Sequence, residues 1–241
     1  MRHKFQYRET VATIVCEPEF LGLAQDGIFE AWEILESKIL EDPFFRITYE
    51  PYLPEGDDHP MIQAMSYASM LSGVGPFAGV AGAVALHAVE MMRDAGAKEA
   101  IVENGGDIAF LSDRKVPVGL FADHPVLKDV AFEVESDGIL GICSSSAKIG
   151  PSVSLGGSNV CTVFSKDVIL ADCCATALGN LVKDEATLGE ALETIGSIEG
   201  IDGCLACIGD KVAMYGEIPK MIPCDRMDTG IFNRTRRCRW T

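Results

Sequence analysis

The chain has 241 residues, of which 20 are Lys or Arg and 36 are Asp or Glu, so its formal net charge is −16. Binding to nucleic acid or to anionic membranes requires a basic surface, and this acidic balance argues against both. No segment reaches the roughly 18 apolar residues of a membrane span, and no apolar stretch follows the N-terminal basic residues as in a signal peptide. The composition therefore predicts a cytoplasmic globular protein that binds neither nucleic acid nor membrane.

The first half of the chain predicts one strand followed by three helices. Residues 5–16 alternate as a strand, 21–40 have helical apolar spacing, and 44–60 hold the prolines, glycines and acids of a loop or of a short strand with a loop. The apolar stretch that follows predicts a short helix, a turn at 72–76 and a helix over 76–94. The last helix is rich in Ala and Gly, which permits close packing within the chain or against a second copy. The sequence is therefore compatible with a homo-oligomer as well as with a monomer.

The second half predicts more strands than helices. Strands are expected at 99–103, 108–111, 116–121, 130–134, 139–144 and 160–164, with a closing hairpin over 203–213. Helices are expected at 171–182 and 187–195. Residues 226–241 carry five arginines, which is typical of a solvated or self-docking tail.

Nine cysteines are spread along the chain, and two of them, Cys204 and Cys207, have the spacing of a zinc or redox pair. No second close pair with ligand spacing accompanies them. Most of the cysteines lie in apolar runs, so we predict that they are reduced thiols serving as small core residues.

Asp172 and Thr176 form the first candidate site. Their i, i+4 spacing places both side-chain oxygens on one face of a helix, and Asp172 is expected in its first turn, where the helix dipole favours a carboxylate. A carboxylate and a hydroxyl, completed by carbonyl groups and water, suit a hard cation such as Mg²⁺. The alternative is a plain N-terminal cap with a buried threonine.

Three loops offer candidate anion sites. The serine-rich segment supplies hydroxyl groups, one cation and backbone amides, which can hold a phosphate or carboxylate; the alternative is a solvent loop. A glycine turn leads into a helix N-terminus, where exposed amides attract anions; the alternative is tight helix packing. A second glycine turn allows close approach of a ligand to the backbone; the alternative is an ordinary hairpin. The residues predicted to bind a cofactor are Ser144, Ser145, Ser146 and Lys148, then Gly73 and Gly75, then Asn104, Gly105, Gly106 and Asp107.

Taken together and in this order, four segments resemble a short family of the ApbE superfamily. They are residues 73–83 (GVGPFAGVAGA), 101–108 (IVENGGDI), 144–146 (SSS) with Gly150 and Ser152, and 171–180 (ADCCATALGN). The similarity runs from about residue 5 to about residue 220. It implies an α+β fold, a single ApbE-like domain over 1–225 with mixed or antiparallel sheets packed by helices, and leaves 226–241 outside as a tail.

The resemblance also implies a function. The better understood ApbE proteins are Mg²⁺-dependent flavin transferases that move FMN from FAD onto a threonine, and some relatives hydrolyse FAD. In them, the Asp and Thr of a D-x-x-x-T segment help to hold the metal, which here are Asp172 and Thr176. The resemblance therefore implies Mg²⁺ and FAD or FMN as cofactors, or more broadly a nucleotide or other small anionic molecule as the partner.

Several ApbE residues are absent from this chain. Ala78 and Ala83 stand where the transferases have the lysine and aspartate of K-G-x-x-x-D, and no histidine follows the serine-rich loop. Ala147 and Pro151 stand where the short family usually has a glycine and a histidine. Three readings follow from these departures. The chain binds a phosphorylated cofactor such as a flavin nucleotide, with Mg²⁺-dependent transfer or hydrolysis, or it is a binding or regulatory module without catalysis. The third is an enzyme that acts on a different phosphorylated or carboxylated cofactor.

Overall fold

A computed structural model describes residues 2–119, 127, 129–146 and 156–224, and the backbone of 231–232. The helices are α1 (Leu21–Glu41), α2 (Phe44–Ile47), α3 (Pro60–Ser72), α4 (Val80–Asp94), α5 (Val168–Leu181) and α6 (Leu188–Gly196). The strands are β1 (Arg2–Tyr7), β2 (Thr10–Cys16), β3 (Glu99–Asn104), β4 (Asp107–Gly119), β5 (Val130–Ser145), β6 (Val160–Ser165), β7 (Ile201–Ile208), β8 (Lys211–Gly216), β9 (Lys220–Pro223) and β10 (Ile231–Phe232).

The strands form one sheet, and its first eight strands follow each other in chain order with every neighbouring pair antiparallel. Strand β9 pairs with β5, and β10 pairs in parallel with β4. Helices α1–α4 are inserted between β2 and β3, and α5 and α6 between β6 and β7. The expected α+β fold with an antiparallel sheet packed by helices is thus confirmed.

Side chains on the two faces of the sheet form separate hydrophobic clusters. Ile14, Val102 and Val163 belong to the cluster that includes the helices, while Phe132 and Phe164 pack edge to face on the other side, with ring centroids 5.1 Å apart. This alternation along each strand is what a sheet with two buried faces requires. In the described part of the chain no single helix is long and apolar enough to cross a membrane. Helix α3 and residues 76–94, which include α4, together have the length and composition of a span, but they are bent by 111° relative to each other.

Glycines set how closely the helices approach. A Cβ added to Gly27 of α1 would lie 2.7 Å from the Ala88 Cα of α4, and one added to Gly82 of α4 would lie 3.0 Å from the Val168 carbonyl oxygen of α5. The small residues of α4 therefore serve close packing within the chain. Their spacing indicates this close approach in the sequence already.

Several predicted boundaries are wrong. Residues 5–16 are not one strand, because Arg8, with φ of 50°, turns the chain between β1 and β2. Residues 44–60 begin with the short helix α2 instead of a strand or loop. The two strands expected at 130–134 and 139–144 are one continuous strand, β5. For β1, β2 and β5 the pairing of strands across the sheet decides, and local composition does not report it. The tail at 226–241 lies outside the described residues apart from β10.

The cysteines occupy the core as predicted. None of the eight described cysteines forms a disulfide, and all except Cys224 are buried. Burial raises the pKa of Cys161 and Cys174 to about 12 and that of Cys204 to about 11, so these thiols stay protonated near neutral pH. Cys204 and Cys207 lie on opposite faces of β7, and each belongs to a different hydrophobic cluster. Their thiols therefore cannot bind one metal ion together.

We expect the seven buried thiols to resist alkylation in the folded protein, because only the accessible thiolate reacts. The measurement is peptide mapping after brief iodoacetamide treatment at pH 7.5, with and without denaturant. Modification of Cys161, Cys174 or Cys204 in the native sample, at the rate seen in denaturant, would contradict a closed core.

Candidate functional site

Helix α5 brings Asp172 to the beginning of α4. The helix starts at Val168, where the side chain of Asp167 accepts hydrogen bonds from the Ile169 and Leu170 amides, each at 3.0 Å. The prediction that Asp172 lies in the first turn of its helix is therefore wrong. The N-cap is Asp167, whose short side chain accepts hydrogen bonds from the free amides of the first turn.

Asp172 instead caps a different helix. Its Oδ2 accepts a hydrogen bond of 2.7 Å from the Gly82 amide, and the Ala81 amide lies near enough to lower the pKa of this side chain. Both amides belong to the first turn of α4, where the helix dipole favours negative charge. Gly82 fits this contact because a Cβ there would lie 3.0 Å from the Asp172 Cβ.

The turn between β3 and β4 brings a second carboxylate to the same place. Gly105 and Gly106 have φ of 69° and 127°, values that favour glycine, and they reverse the chain between Asn104 and Asp107. Asn104 Nδ2 donates to the Ala81 carbonyl oxygen of α4 at 3.2 Å. Asp107 Oδ1 accepts from the Ser144 amide of β5 at 3.2 Å. The hairpin is thus fastened to both α4 and β5.

The side chains of Asp107 and Asp172 lie close enough for each to influence the pKa of the other. Asp172 is 4% exposed and Asp107 is half-buried. Burial, and then the nearby charge of Asp107, hold the pKa of Asp172 well above its usual range. Burial also raises the pKa of Asp107, against the lowering effect of the Ser144 amide. Two carboxyl groups this close share one proton near neutral pH, and both can ionise only when a cation lies between them.

The sheet register separates the three predicted serines. Asp107 is paired with Cys143, so these two side chains share the helix-facing side of the sheet, and Ser145, two residues further along β5, faces the same way. Ser144 faces the opposite side, where its hydroxyl hydrogen-bonds to Thr162 Oγ1 at 2.9 Å. Ser146 Oγ donates to the Asn159 carbonyl oxygen at 2.7 Å. Of the three serines, Ser145 is therefore the one on the same face of the sheet as Asp107.

The other predicted residues are placed as follows. Thr176 lies one helical turn after Asp172 and is half-buried. Gly73, with φ of 74°, ends α3 and has open space where a Cβ would be. Gly75 has a packing role, since a Cβ there would overlap the Thr48 carbonyl oxygen. Lys148, Gly150 and Ser152 lie outside the described residues.

Two neighbours of the carboxylate pair escape sequence reasoning. Cys143 is fully buried, its thiol donates to the Val168 carbonyl oxygen at 3.6 Å, and its proximity lowers the pKa of Asp107. The nearby Glu103, 3% exposed, raises the pKa of Asp107 further. The register of β3, β4 and β5 brings both residues to this position. The sequence contains no signal for Cys143, whereas Glu103 directly precedes the glycine turn and could have been included with it.

The donor set decides which metal fits. Within the described residues, no group of three or more His, Cys, Asp and Glu side chains is arranged to hold a metal ion, as a protein-enclosed zinc site would require. Mg²⁺ is commonly held by one or two carboxylates, with water and substrate phosphates as its other ligands. Asp107 and Asp172, with Thr176 beside them, fit that smaller set. A separate cavity of about 280 Å³ borders Lys38, Asp58 and His59, and none of the predicted site residues lines it.

Comparison with known proteins identifies the family. A family model described as "AbpE bacteria" matches residues 3–192. The chain belongs to this family. Relatives of this ApbE-like chain include a "UPF0280 protein" of Methanocella arvoryzae, 43% identical over 220 residues, which are 91% of this chain and 90% of that one. Another, from Methanothrix thermoacetophila, is 45% identical over 222 residues, with 91% and 93% covered.

Solved structures share the ApbE-like fold. The flavin transferase ApbE from Vibrio cholerae superimposes with a TM-score of 0.56 at 13% identity, over 89% of this chain and 96% of that one. The flavinyl transferase ApbE from Pseudomonas stutzeri, in its apo form, gives a TM-score of 0.55 at 14% identity, over 89% and 94%. These similarities confirm the resemblance in fold that the four sequence segments indicate.

Proposed function

We propose that this ApbE-like chain binds a flavin nucleotide such as FAD together with Mg²⁺. The observation that carries the proposal is the contact between Asp107 and Asp172 at the first turn of α4, beside Thr176 on α5. A divalent cation between the two carboxylates would remove their mutual repulsion and still have ligand positions for phosphate oxygens. The family resemblance supplies the nature of the nucleotide.

Each part of the site has a role in this proposal. Asp107, Asp172 and Thr176 would hold the cation, which when bound neutralises the diphosphate and polarises its phosphoryl oxygens. The glycine turn at 105–106 lets the backbone approach the ligand, and Ser145 donates to it from β5. Asn104, Gly73 and Lys148 remain predicted contacts of the ligand. The geometry does not favour the hydroxyl groups of Ser144 and Ser146, which bond to Thr162 and Asn159, or Gly75, which packs against Thr48.

Binding without transfer is the second candidate function. Ala78 and Ala83 stand where the transferases carry a lysine and an aspartate, so groups that could exchange a proton or charge with the diphosphate are missing there. This departure favours a binding or regulatory module. The transferase names of the solved neighbours favour transfer or hydrolysis instead.

One experiment tests the proposal and separates these two functions. The purified chain is incubated with FAD and MgCl₂, or with FAD and EDTA. Binding is followed by flavin fluorescence, and the products by chromatography for FMN and AMP and by mass spectrometry for flavin attached to protein. Mg²⁺-dependent binding supports the proposal; products identify an enzyme, and their absence identifies a binding module. Failure to bind FAD in both buffers would refute the flavin assignment.

Replacing Asp107 by asparagine should stabilise the metal-free protein and weaken its response to Mg²⁺. The asparagine side chain can still accept from the Ser144 amide and can donate to Asp172, so it relieves the contact between two carboxyl groups. We expect the free energy of unfolding in EDTA to rise by about 1 kcal/mol, or about 2–4 °C in Tm. Asp113→Asn, an exposed change on the same strand, should alter neither quantity. A destabilised Asp107→Asn variant with an unchanged Mg²⁺ response would show that Asp107 is only a structural residue.

A further inference from the structure

One surface of the molecule is apolar although the chain as a whole is strongly acidic. Helix α3 has no charged residue, and beyond Pro60 at its start its exposed positions are Tyr67, Met70 and Leu71. The segment 47–53 has Glu50 as its sole charged residue and exposes three more large apolar side chains. We call these six residues the α3 face: Ile47, Tyr49, Leu53, Tyr67, Met70 and Leu71.

Hydrogen bonds and packing hold the two parts of the α3 face side by side. The Tyr52 amide donates to Ser69 Oγ of α3 at 3.1 Å, and Ser69 Oγ donates to the Val74 carbonyl oxygen at 2.5 Å. Thr48 and Tyr49 lie against Gly75, where a Cβ would be 3.1 Å from the Tyr49 Cα. The segment therefore runs along the C-terminal half of α3 as an ordered part of the fold.

The area of the α3 face exceeds that of the usual largest apolar patch of a monomer and approaches one side of a standard interface. Its six side chains are 42–78% exposed. With roughly 150–250 Å² for each large side chain, they present roughly 700 Å² of accessible surface. The largest apolar patch of a typical monomer is about 300–600 Å², and a standard interface buries about 800 Å² on each partner. In the part of the chain that the structure describes, no element covers the α3 face.

We propose that the α3 face is the interface of a homodimer. At a net charge of −16, two copies repel each other over most of their surface, so they can associate only through a face that carries few charges. Tyr67, Met70 and Leu71 have the i, i+3, i+4 spacing that lets one helix pack against another. A two-fold axis beside α3 would pair this stripe with its own copy, as in most homodimers. The proposal does not depend on the flavin site.

The test is the mass of the full chain in solution, measured by light scattering after gel filtration and by sedimentation at micromolar concentrations. We expect twice the chain mass of 25.9 kDa. Leu71→Glu should raise the dimer dissociation constant by about a hundredfold or more, because it sets two like charges against each other at the axis. The change is at the surface, so circular dichroism should be unaltered.

A matched control distinguishes the α3 face from other exposed apolar residues. Leu40 is 85% exposed on α1 and lies outside the face, so Leu40→Glu should leave the dimer intact. A monomeric wild-type chain would overturn the proposal. In that case another part of the chain, or a different protein, would cover the α3 face. A dimer that survives Leu71→Glu would also overturn it, because its interface would lie elsewhere.

Discussion

Asp172→Ala should abolish Mg²⁺-dependent binding of FAD. The substitution removes the more buried carboxylate of the pair and leaves Asp107, and a single carboxylate with a neighbouring hydroxyl holds Mg²⁺ poorly in water. We expect the affinity for FAD in MgCl₂ to fall at least a hundredfold, to the level that the wild-type chain has in EDTA. The measurement is a fluorescence titration of FAD with each variant, in MgCl₂ and in EDTA.

Asp172 also caps α4, so the loss of binding must be separated from a loss of structure. Asp172→Asn keeps one oxygen that can accept from the Gly82 amide and, like Asp107→Asn, relieves the contact between two carboxyl groups. In EDTA it should therefore unfold at or slightly above the wild-type temperature while binding as poorly as Asp172→Ala. Asp26→Ala, an exposed change on α1, should have no effect on either quantity. Full Mg²⁺-dependent binding by Asp172→Asn would mean that Asp172 serves only as a helix cap.

Lys38→Met should destabilise the protein by about 3 kcal/mol, or about 6–12 °C in Tm. Lys38 is 3% exposed on α1, and its Nζ lies 2.7 Å from Asp58 Oδ1 and 3.0 Å from Glu55 Oε2. Although burial lowers the pKa of Lys38, its hydrogen bonds to Asp58 and Glu55 hold the pKa above its ordinary value, so the side chain is charged. Removing it leaves the Asp58 carboxylate, whose side chain is 4% exposed, without its cation.

A double variant tests this explanation. In Lys38→Met with Asp58→Asn, no unpaired charge remains, so its unfolding temperature should lie above that of Lys38→Met alone. Arg93→Met, which breaks an exposed pair with Asp94 on α4, should cost less than about 1 kcal/mol. If Lys38→Met costs no more than Arg93→Met, the buried pair does not hold the loop after α2 against α1.

The fold could be predicted where local patterns and burial agree. The apolar spacing predicts a helix over 21–40, and α1 spans Leu21–Glu41; the break at 72–76 separates α3 from α4 as expected. The errors occur where distant pairing decides. The long strand β5 is held by β4 on one side and by β6 and β9 on the other, and these contacts override the Ser136–Gly138 stretch that looks like a turn in the sequence.

The site could be predicted residue by residue but not as an arrangement. The sequence indicates Asp107 in a glycine turn and Asp172 in a helix as separate features, because 64 residues lie between them in the chain. Their contact depends on β3, β4 and α5 meeting at the first turn of α4. Likewise, only the pairing of Asp107 with Cys143 shows that Ser145, and not Ser144, faces the carboxylates.

The central claim is that Asp107 and Asp172 hold a divalent cation that contacts the phosphates of a flavin nucleotide. The most direct test is a crystal structure of the chain grown with FAD and Mn²⁺, a hard cation that carboxylates bind as they bind Mg²⁺ and that anomalous scattering locates. We predict an anomalous peak between the two carboxylates, with FAD phosphate oxygens bound to the same ion. FAD bound elsewhere, or bound here with no ion at these carboxylates, would contradict the claim.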